Sequence, residues 1–153
     1  MEKQRPKIGI AVYILNPQNQ VLLQKRKTTH AGTWAPPGGH LEMGESFLEC
    51  IKREVKEEVD LEVADAELWA VTNNVFSPES HYVNLDHLAK AFSGQAKNME
   101  PEKCEEIAWF DLANLPRPLM YSVENFLNSN PACLCRSGKK FLECHGKNFG
   151  KNA

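Results

Sequence analysis

An α/β domain is predicted by three features of the sequence. A β-branched and aliphatic run over residues 7–15 breaks at Asn16-Pro17-Gln18-Asn19 and resumes over 21–25, as the two strands of a hairpin would. Phe47, Leu48, Ile51, Val55 and Val59 recur at three- and four-residue spacing, which puts them on one face of a helix over 46–59. Strand-like runs over 67–76 and 81–92 follow that helix. With 153 residues, 42% hydrophobic and 25% charged, the chain can bury a proper core and has little room for a second domain.

The remaining elements follow in order. Residues 25–39 carry turn formers throughout and no periodicity, which predicts a long ordered loop, and loops of that length inside a compact domain usually have a function. After the two middle strands come a Glu/Pro/Lys loop, a short strand over 105–110, a turn over 111–116 and a second helix over 119–127. The last twenty residues are polar, contain Gly and Lys, and show little periodicity. A functional domain over 1–128 with a loose C-terminal tail over 129–153 is therefore expected.

Charge and cysteine content narrow the classes. Eighteen Lys and Arg against twenty Asp and Glu give a formal charge of −2, without the basic excess that nucleic acid or an anionic membrane would need. The apolar run behind the basic start is short, broken by Gly9 and Tyr13, and lacks a small-residue cleavage site, so no signal peptide is expected. Nothing approaches eighteen consecutive apolar residues. A soluble, cytoplasmic protein is the resulting expectation, with a homodimer left open. Five cysteines, an odd number, favour reduced thiols over a disulfide framework.

The chemistry lies between Gly38 and Leu61. Glu54, Glu57 and Glu58 stand at i, i+3 and i+4 and so share one side of the helix, flanking the apolar stripe of Phe47, Ile51 and Val55. Carboxylates about 6 Å apart repel by roughly 3 kcal/mol per pair at an effective dielectric of about 20, so something cationic should neutralise them. Hard oxygen ligands favour Mg²⁺, with Mn²⁺ as a substitute, over zinc, and Mg²⁺ keeps positions for water and substrate phosphates. Gly38-Gly39 lets the backbone approach an ion or phosphate without a Cβ in the way. A solvated helix face paired with Lys52 and Lys56 would account for the glutamates, but not for the glycine pair at that offset.

Gly39, five residues, Glu45, seven residues, Arg53-Glu54-Val55-Lys56-Glu57-Glu58, one residue and Leu61 resemble the Nudix box, with Asp60 standing where the pattern has glycine. The likeness extends over residues 7–128. Gly32-Thr-Trp-Ala-Pro-Pro-Gly-Gly39 is similar to the loop before the box in MutT-like members. Lys25-Arg26-Lys27, Gly38-Gly-His-Leu-Glu42 and Glu100-Pro-Glu-Lys103 are most similar to the Nudix 15 type nucleoside-triphosphate diphosphatases.

That resemblance implies an α/β/α sandwich around a mixed β-sheet, the box forming a loop-helix-loop. It implies that Glu54, Glu57 and Glu58 hold Mg²⁺ together with the Gly39 carbonyl, that Glu54 serves as general base, and that Arg53 and Glu45 orient the helix and its carboxylates. It aligns Glu105 with a late-loop glutamate that joins the metal site in some relatives, with Glu102 and Glu106 as competitors. It puts Arg26 and His40 where phosphate contacts are expected and offers Trp109 or Tyr121 for stacking on a base, core packing being the alternative for Trp109. The implied activity is hydrolysis of a small-molecule nucleotide substrate, a (deoxy)nucleoside triphosphate, to monophosphate and pyrophosphate. Hydrolysis of ADP-ribose, a nucleotide sugar or a dinucleoside polyphosphate is the rival, and a non-catalytic nucleotide sensor a rival of another class.

Three stretches stand apart. Asp60 must take a left-handed conformation at a helix end where its charge is unfavourable. Asn84 to His87 put polar residues where an apolar run is expected, and Asp86 and His87 alternate in direction, so an edge strand or a face toward the base pocket or a partner would explain them. Cys133, Cys135, Cys144 and His145 supply four candidate zinc ligands, but C-x-C is not the usual C-x₂₋₄-C hook, and reduced thiols are expected.

Overall fold

The computed structural model describes residues 2–151. Strands β1 (Lys7–Tyr13), β2 (Gln20–Arg26), β3 (Trp34–Ala35) and β4 (Gly38–His40) precede helix α1 (Phe47–Val59); β5 (Glu62–Ser77), β6 (Ser80–Ser93), β7 (Cys104–Asp111) and helix α2 (Tyr121–Asn128) follow. One sheet has the order β4-β1-β6-β5 and the other β3-β2-β7. β1 runs parallel to β6, whereas its pairing with β4 and that of β5 with β6 are antiparallel, so the first sheet is mixed. The predicted turn forms: Asn16 N–H donates to the Gln20 carbonyl at 2.9 Å, and Leu15 bridges Val21. The hairpin stops there, because β1 and β2 then diverge into different sheets.

Alternation along these strands builds the sandwich. Ile10, Val12, Ile14 and Leu22 point to one side, where they meet Cys50, Ile51, Val55 and Val59 of α1. Tyr13, Val21 and Leu23 point to the other, where they meet Val123, Phe126 and Leu127 of α2. A sheet buried on both faces needs a helix on each, and the period of two in these apolar runs supplies both interfaces.

α1 begins at a complete capping box: the Ser46 side chain accepts from Glu49 N–H, and the Glu49 carboxylate accepts from Ser46 N–H at 2.7 Å. It ends at Asp60, left-handed at φ 58°. Lys56 Nζ at 2.7 Å and Lys97 Nζ at 3.8 Å answer the misplaced charge and hold the Asp60 carboxyl below its ordinary range, which is how aspartate serves where glycine would fit.

The edge-strand reading of Asn84 to His87 is wrong. β6 lies between β1 and β5, and both Asp86 and His87 are buried. Thr72 Oγ1 donates to Asp86 Oδ2 at 2.9 Å, Asn74 Nδ2 to Thr72 Oγ1 at 3.1 Å, and Asn125 Nδ2 to Asn74 Oδ1 at 2.9 Å. Asp86 Oδ1 is left as the one buried side-chain oxygen or nitrogen without a partner among the described residues. Burial pushes the Asp86 carboxyl from an ordinary 3.8 up to about 7, against the pull of Thr72. The folded chain thus holds this proton at pH values where the unfolded chain has released it, so folding loses stability as pH rises from about 4 through 7, and the full penalty persists above that. Asp86→Asn removes this dependence: relative to the native chain it is expected to gain as much as about 3 kcal/mol between pH 5 and pH 8. Denaturant melts of both chains at the two pH values check this, and a difference independent of pH would show that Asp86 stays charged.

The segment after α2 is irregular, yet it is not a loose tail. Cys133, Leu134 and Phe141 are buried in the α2-side core, and Trp69 Nε1 donates to the Ala132 carbonyl at 2.6 Å. Turns linked by a bridge between Ala132 and Lys140 carry these residues inward, so no period marks them in the sequence. Its last two residues lie outside the described ones. Among the described residues no helix is long and apolar enough to cross a membrane.

Candidate active site

β4 lies antiparallel to β1, with Gly39 opposite Ile10 and Gly38 opposite Ala11, and α1 packs across it. A Cβ on Gly39 would stand 2.3 Å from the Glu54 carboxyl carbon, and one on Gly38 would stand 2.0 Å from the Ile10 carbonyl oxygen. Both glycines are therefore required by close approach, Gly39 toward the helix and Gly38 toward the neighbouring strand.

Arg53 ties the acidic groups together. Its Nε and one terminal nitrogen donate to the two oxygens of Glu45 at 2.7 and 3.0 Å, a bidentate pair, and its other terminal nitrogen donates to Glu54 Oε1 at 2.7 Å. It also reaches the His40 carbonyl at 3.2 Å and Glu57 at 3.8 Å. The guanidinium holds the Glu45 carboxyl down to about 2. Burial outweighs the same guanidinium at Glu54 and raises that carboxyl, with the charges of Glu57 and Glu100 adding to the rise.

Glu58 is the most enclosed of the three glutamates. Its Oε2 accepts from Gln24 Nε2 at 2.8 Å and from Gly38 N–H at 3.1 Å, leaving Oε1 available. Burial pushes its carboxyl up to about 7 despite these donors, and the charges of Glu54 and Glu100 act the same way. Glu57 is more than half exposed beside them.

The structure brings together Gly39, Glu45, Arg53, Glu54, Glu57 and Glu58, and it places the other predicted residues differently from one another. Glu105 pairs with Lys25 Nζ at 3.3 Å and is exposed, whereas Glu100 is the late-loop carboxylate whose charge reaches Glu54 and Glu58. Met99 N–H donates to the Glu58 carbonyl at 3.0 Å, which draws Glu100 to the end of α1. Arg26 donates to the carbonyl and the hydroxyl of Thr29, within its own loop. Trp109 packs against the α1-side core and stacks on Phe92 at 6.3 Å, so it serves the core. His40 stacks on Tyr82 at 5.4 Å; Tyr82 meets Phe76 edge-on at 6.0 Å, and Phe76 meets Tyr121 at 5.6 Å. An aromatic path thus runs from beside Gly39 to the half-exposed Tyr121 on α2.

Sequence reading missed Gln24, Glu100, Phe76 and Tyr82. Gln24 leaves a trace, as a nearly buried polar residue beside the apolar run Val21-Leu22-Leu23. Glu100 leaves none that separates it from Glu102, Glu105 and Glu106.

The donors at this cluster are carboxylates and a backbone carbonyl, and burial, with the charge of neighbouring carboxylates adding to it, raises Glu54 and Glu58. That donor set fits a hard divalent cation.

A mixed sheet covered by a helix on each face, with the carboxylate-bearing helix laid over a glycine pair, places the protein in the class of α/β/α domains with a loop-helix-loop at the site. It belongs to the NUDIX family: the description of the NUDIX domain matches residues 5–127. The chain is 31% identical over 114 residues to the 8-oxo-dGDP phosphatase NUDT18 of Homo sapiens, a match covering 73% of this chain and 34% of that protein. It is 34% identical over 106 residues to the ADP-ribose pyrophosphatase of Methanocaldococcus jannaschii, covering 68% of this chain and 62% of that one. The chain thus spans about a third of the length of the first relative and less than two thirds of the second. Among solved structures, the MutT NUDIX hydrolase from Burkholderia pseudomallei superposes with a TM-score of 0.73 at 33% identity, over 78% of this chain and 93% of that one.

Proposed function

We propose that the protein is a Mg²⁺-dependent pyrophosphohydrolase, Mn²⁺ substituting, that cleaves (deoxy)nucleoside triphosphates to the monophosphate and pyrophosphate. Bound Mg²⁺ would supply an activated water and neutralise charge developing on the phosphate oxygens. Glu54, Glu57 and Glu58 would hold it, with the Gly39 carbonyl and with Glu100 in place of Glu105. Arg53, braced by Glu45, fixes the Glu54 carboxylate and keeps the helix from swinging away from β4. Glu54, with Arg53 on one of its oxygens, would be the group that accepts a proton from the attacking water. Arg26 would have to leave Thr29 to touch a phosphate.

The observation that carries the nucleotide reading is the aromatic path from His40 through Tyr82 and Phe76 to Tyr121, which offers stacking surface within reach of the glycine pair.

Turnover across nucleoside triphosphates, ADP-ribose and dinucleoside polyphosphates in ¹⁸O-labelled water with Mg²⁺ tests this. Monophosphate and pyrophosphate are expected, with label in the monophosphate for attack at the α phosphorus and in pyrophosphate for attack at the β. Orthophosphate as first product contradicts the reading. Cleavage of ADP-ribose with triphosphates untouched removes the substrate and keeps the site, and tight nucleotide binding without any cleavage makes the protein a sensor.

A further inference from the structure

The segment that follows α2 brings four metal-ligating side chains into one place. Cys133, Cys135, Cys144 and His145 each present one donor atom, and these atoms all lie within 4.8 Å of one another. Cys133 Sγ and Cys144 Sγ each stand 3.3 Å from His145 Nδ1, and Cys135 Sγ stands 3.7 Å from Cys144 Sγ. Zn–S bonds of about 2.3 Å and a Zn–N bond of about 2.0 Å at tetrahedral angles give edges of about 3.8 Å between sulfurs and about 3.5 Å between sulfur and nitrogen. The sulfur separation is far too long for a disulfide, whose bond is about 2.05 Å.

We propose that Cys133, Cys135, Cys144 and His145 form a structural zinc site that closes residues 131–146 onto the domain. Three soft thiolates and one imidazole around a single point select zinc over the hard cation of the glutamate cluster, and four protein ligands leave no open position for chemistry. The backbone N–H groups of Cys135 and His145 point at the Cys133 sulfur and that of Ser137 at the Cys135 sulfur, while the Ser137 hydroxyl stands 3.5 Å from the Cys144 sulfur.

The short C-x-C spacing works because the chain reverses at once. Cys133 N–H donates to the Lys139 carbonyl at 2.8 Å and Arg136 N–H to the Cys133 carbonyl at 3.0 Å, with Arg136 and Gly138 both at positive φ. The next pair of ligands comes from consecutive residues after the 3₁₀ turn Phe141–Glu143, whose Phe141 is buried in the core. Gly146 permits this, since a Cβ there would stand 2.5 Å from the Phe141 ring. The site would thus fix Leu134 and Phe141, residues that a segment of turns has no helix or sheet to hold in place.

Metal analysis of the full-length protein from zinc-supplemented cells tests the proposal. One zinc per chain is expected to survive dialysis, to be lost in Cys135→Ser and Cys144→Ser, and to be kept in Cys50→Ser and in Glu57→Gln, which separates this site from the carboxylates. Cobalt exchanged into the native chain is expected to show the intense visible absorption of a tetrahedral thiolate complex, a readout that needs no variant to fold. Stripping the zinc is expected to lower the Tm by more than about 5 °C. The proposal is overturned if the native chain carries less than a tenth of a zinc and takes up cobalt without that absorption. A mass two hydrogens light with Cys135 and Cys144 disulfide-linked overturns it too, as does zinc retained in both serine variants.

Discussion

Glu58→Gln is expected to cut kcat by at least about a hundredfold while leaving the fold intact. Glutamine has the volume of glutamate and keeps an oxygen to accept from Gln24 and Gly38, so the strand-to-helix contact survives. What it removes is a negative charge on the oxygen that faces the cluster. In the metal-free protein that charge is a burden, because Glu58 is largely enclosed and lies near Glu54 and Glu100. Loss of activity should therefore come with an unchanged or higher Tm in the absence of Mg²⁺, a combination that a merely structural glutamate would not produce. Glu57→Gln is expected to lose activity equally. Glu100→Gln should fall in the same class, while Glu105→Gln, which breaks only an exposed pair with Lys25, should stay within about threefold. Steady-state kinetics over a range of Mg²⁺ and thermal melts with and without it make the comparison. Near-native turnover in both Glu57→Gln and Glu58→Gln at saturating Mg²⁺ would put the metal elsewhere, and inactivity of Glu105→Gln with normal Glu100→Gln would reverse the assignment in the late loop.

That late loop shows where the sequence stops being readable. The helix and its three glutamates follow from spacing alone, since i, i+3 and i+4 fix a shared side whatever the tertiary structure does. The covering of both sheet faces is equally legible, because Ile10, Val12 and Ile14 alternate with Tyr13, and Val21 and Leu23 with Leu22. Glu100, Glu102, Glu105 and Glu106 have no such rule. What selects Glu100 is a hydrogen bond between two distant backbone groups, Met99 N–H and the Glu58 carbonyl, which any sequence could make.

The divergence of β1 and β2 is hidden for the same reason. Asn16 to Asn19 form the turn of an ordinary hairpin, and only the competing partners, β6 for β1 and β7 for β2, draw the strands apart. Asp86 misleads in the opposite direction, since polar residues in a strand suggest an edge, yet Thr72 satisfies one of its oxygens inside the sheet. The residues after α2 have neither period nor sheet. Their order comes from Leu134, Phe141 and the converging cysteines, contacts between positions that no simple period connects.

The two adjacent glycines of β4 are expected to fail in opposite ways when each is given a methyl group. At Gly38 the new Cβ would sit 2.0 Å from the Ile10 carbonyl oxygen and 3.1 Å from the Ala11 Cα, all of it backbone in the paired strand. Nothing there can turn aside, so β4 must part from β1 and release the Gly38 N–H from Glu58. Gly38→Ala is expected to lose at least about 3 kcal/mol of stability, with activity lost as a consequence. At Gly39 the new Cβ would meet the Glu54 carboxyl group, within 2.3 to 2.6 Å of its three atoms, and that group is the end of a side chain. Glu54 can rotate away, at the expense of its bond to Arg53. Gly39→Ala is therefore expected to melt within about 3 °C of the native chain while kcat falls at least about a hundredfold. Melting curves and Mg²⁺-dependent kinetics on the two variants separate the roles. A Gly39→Ala protein with native kcat would show that Glu54 need not hold its position against β4, and a Gly38→Ala protein as stable as the native one would show that β1 and β4 are not in the contact described.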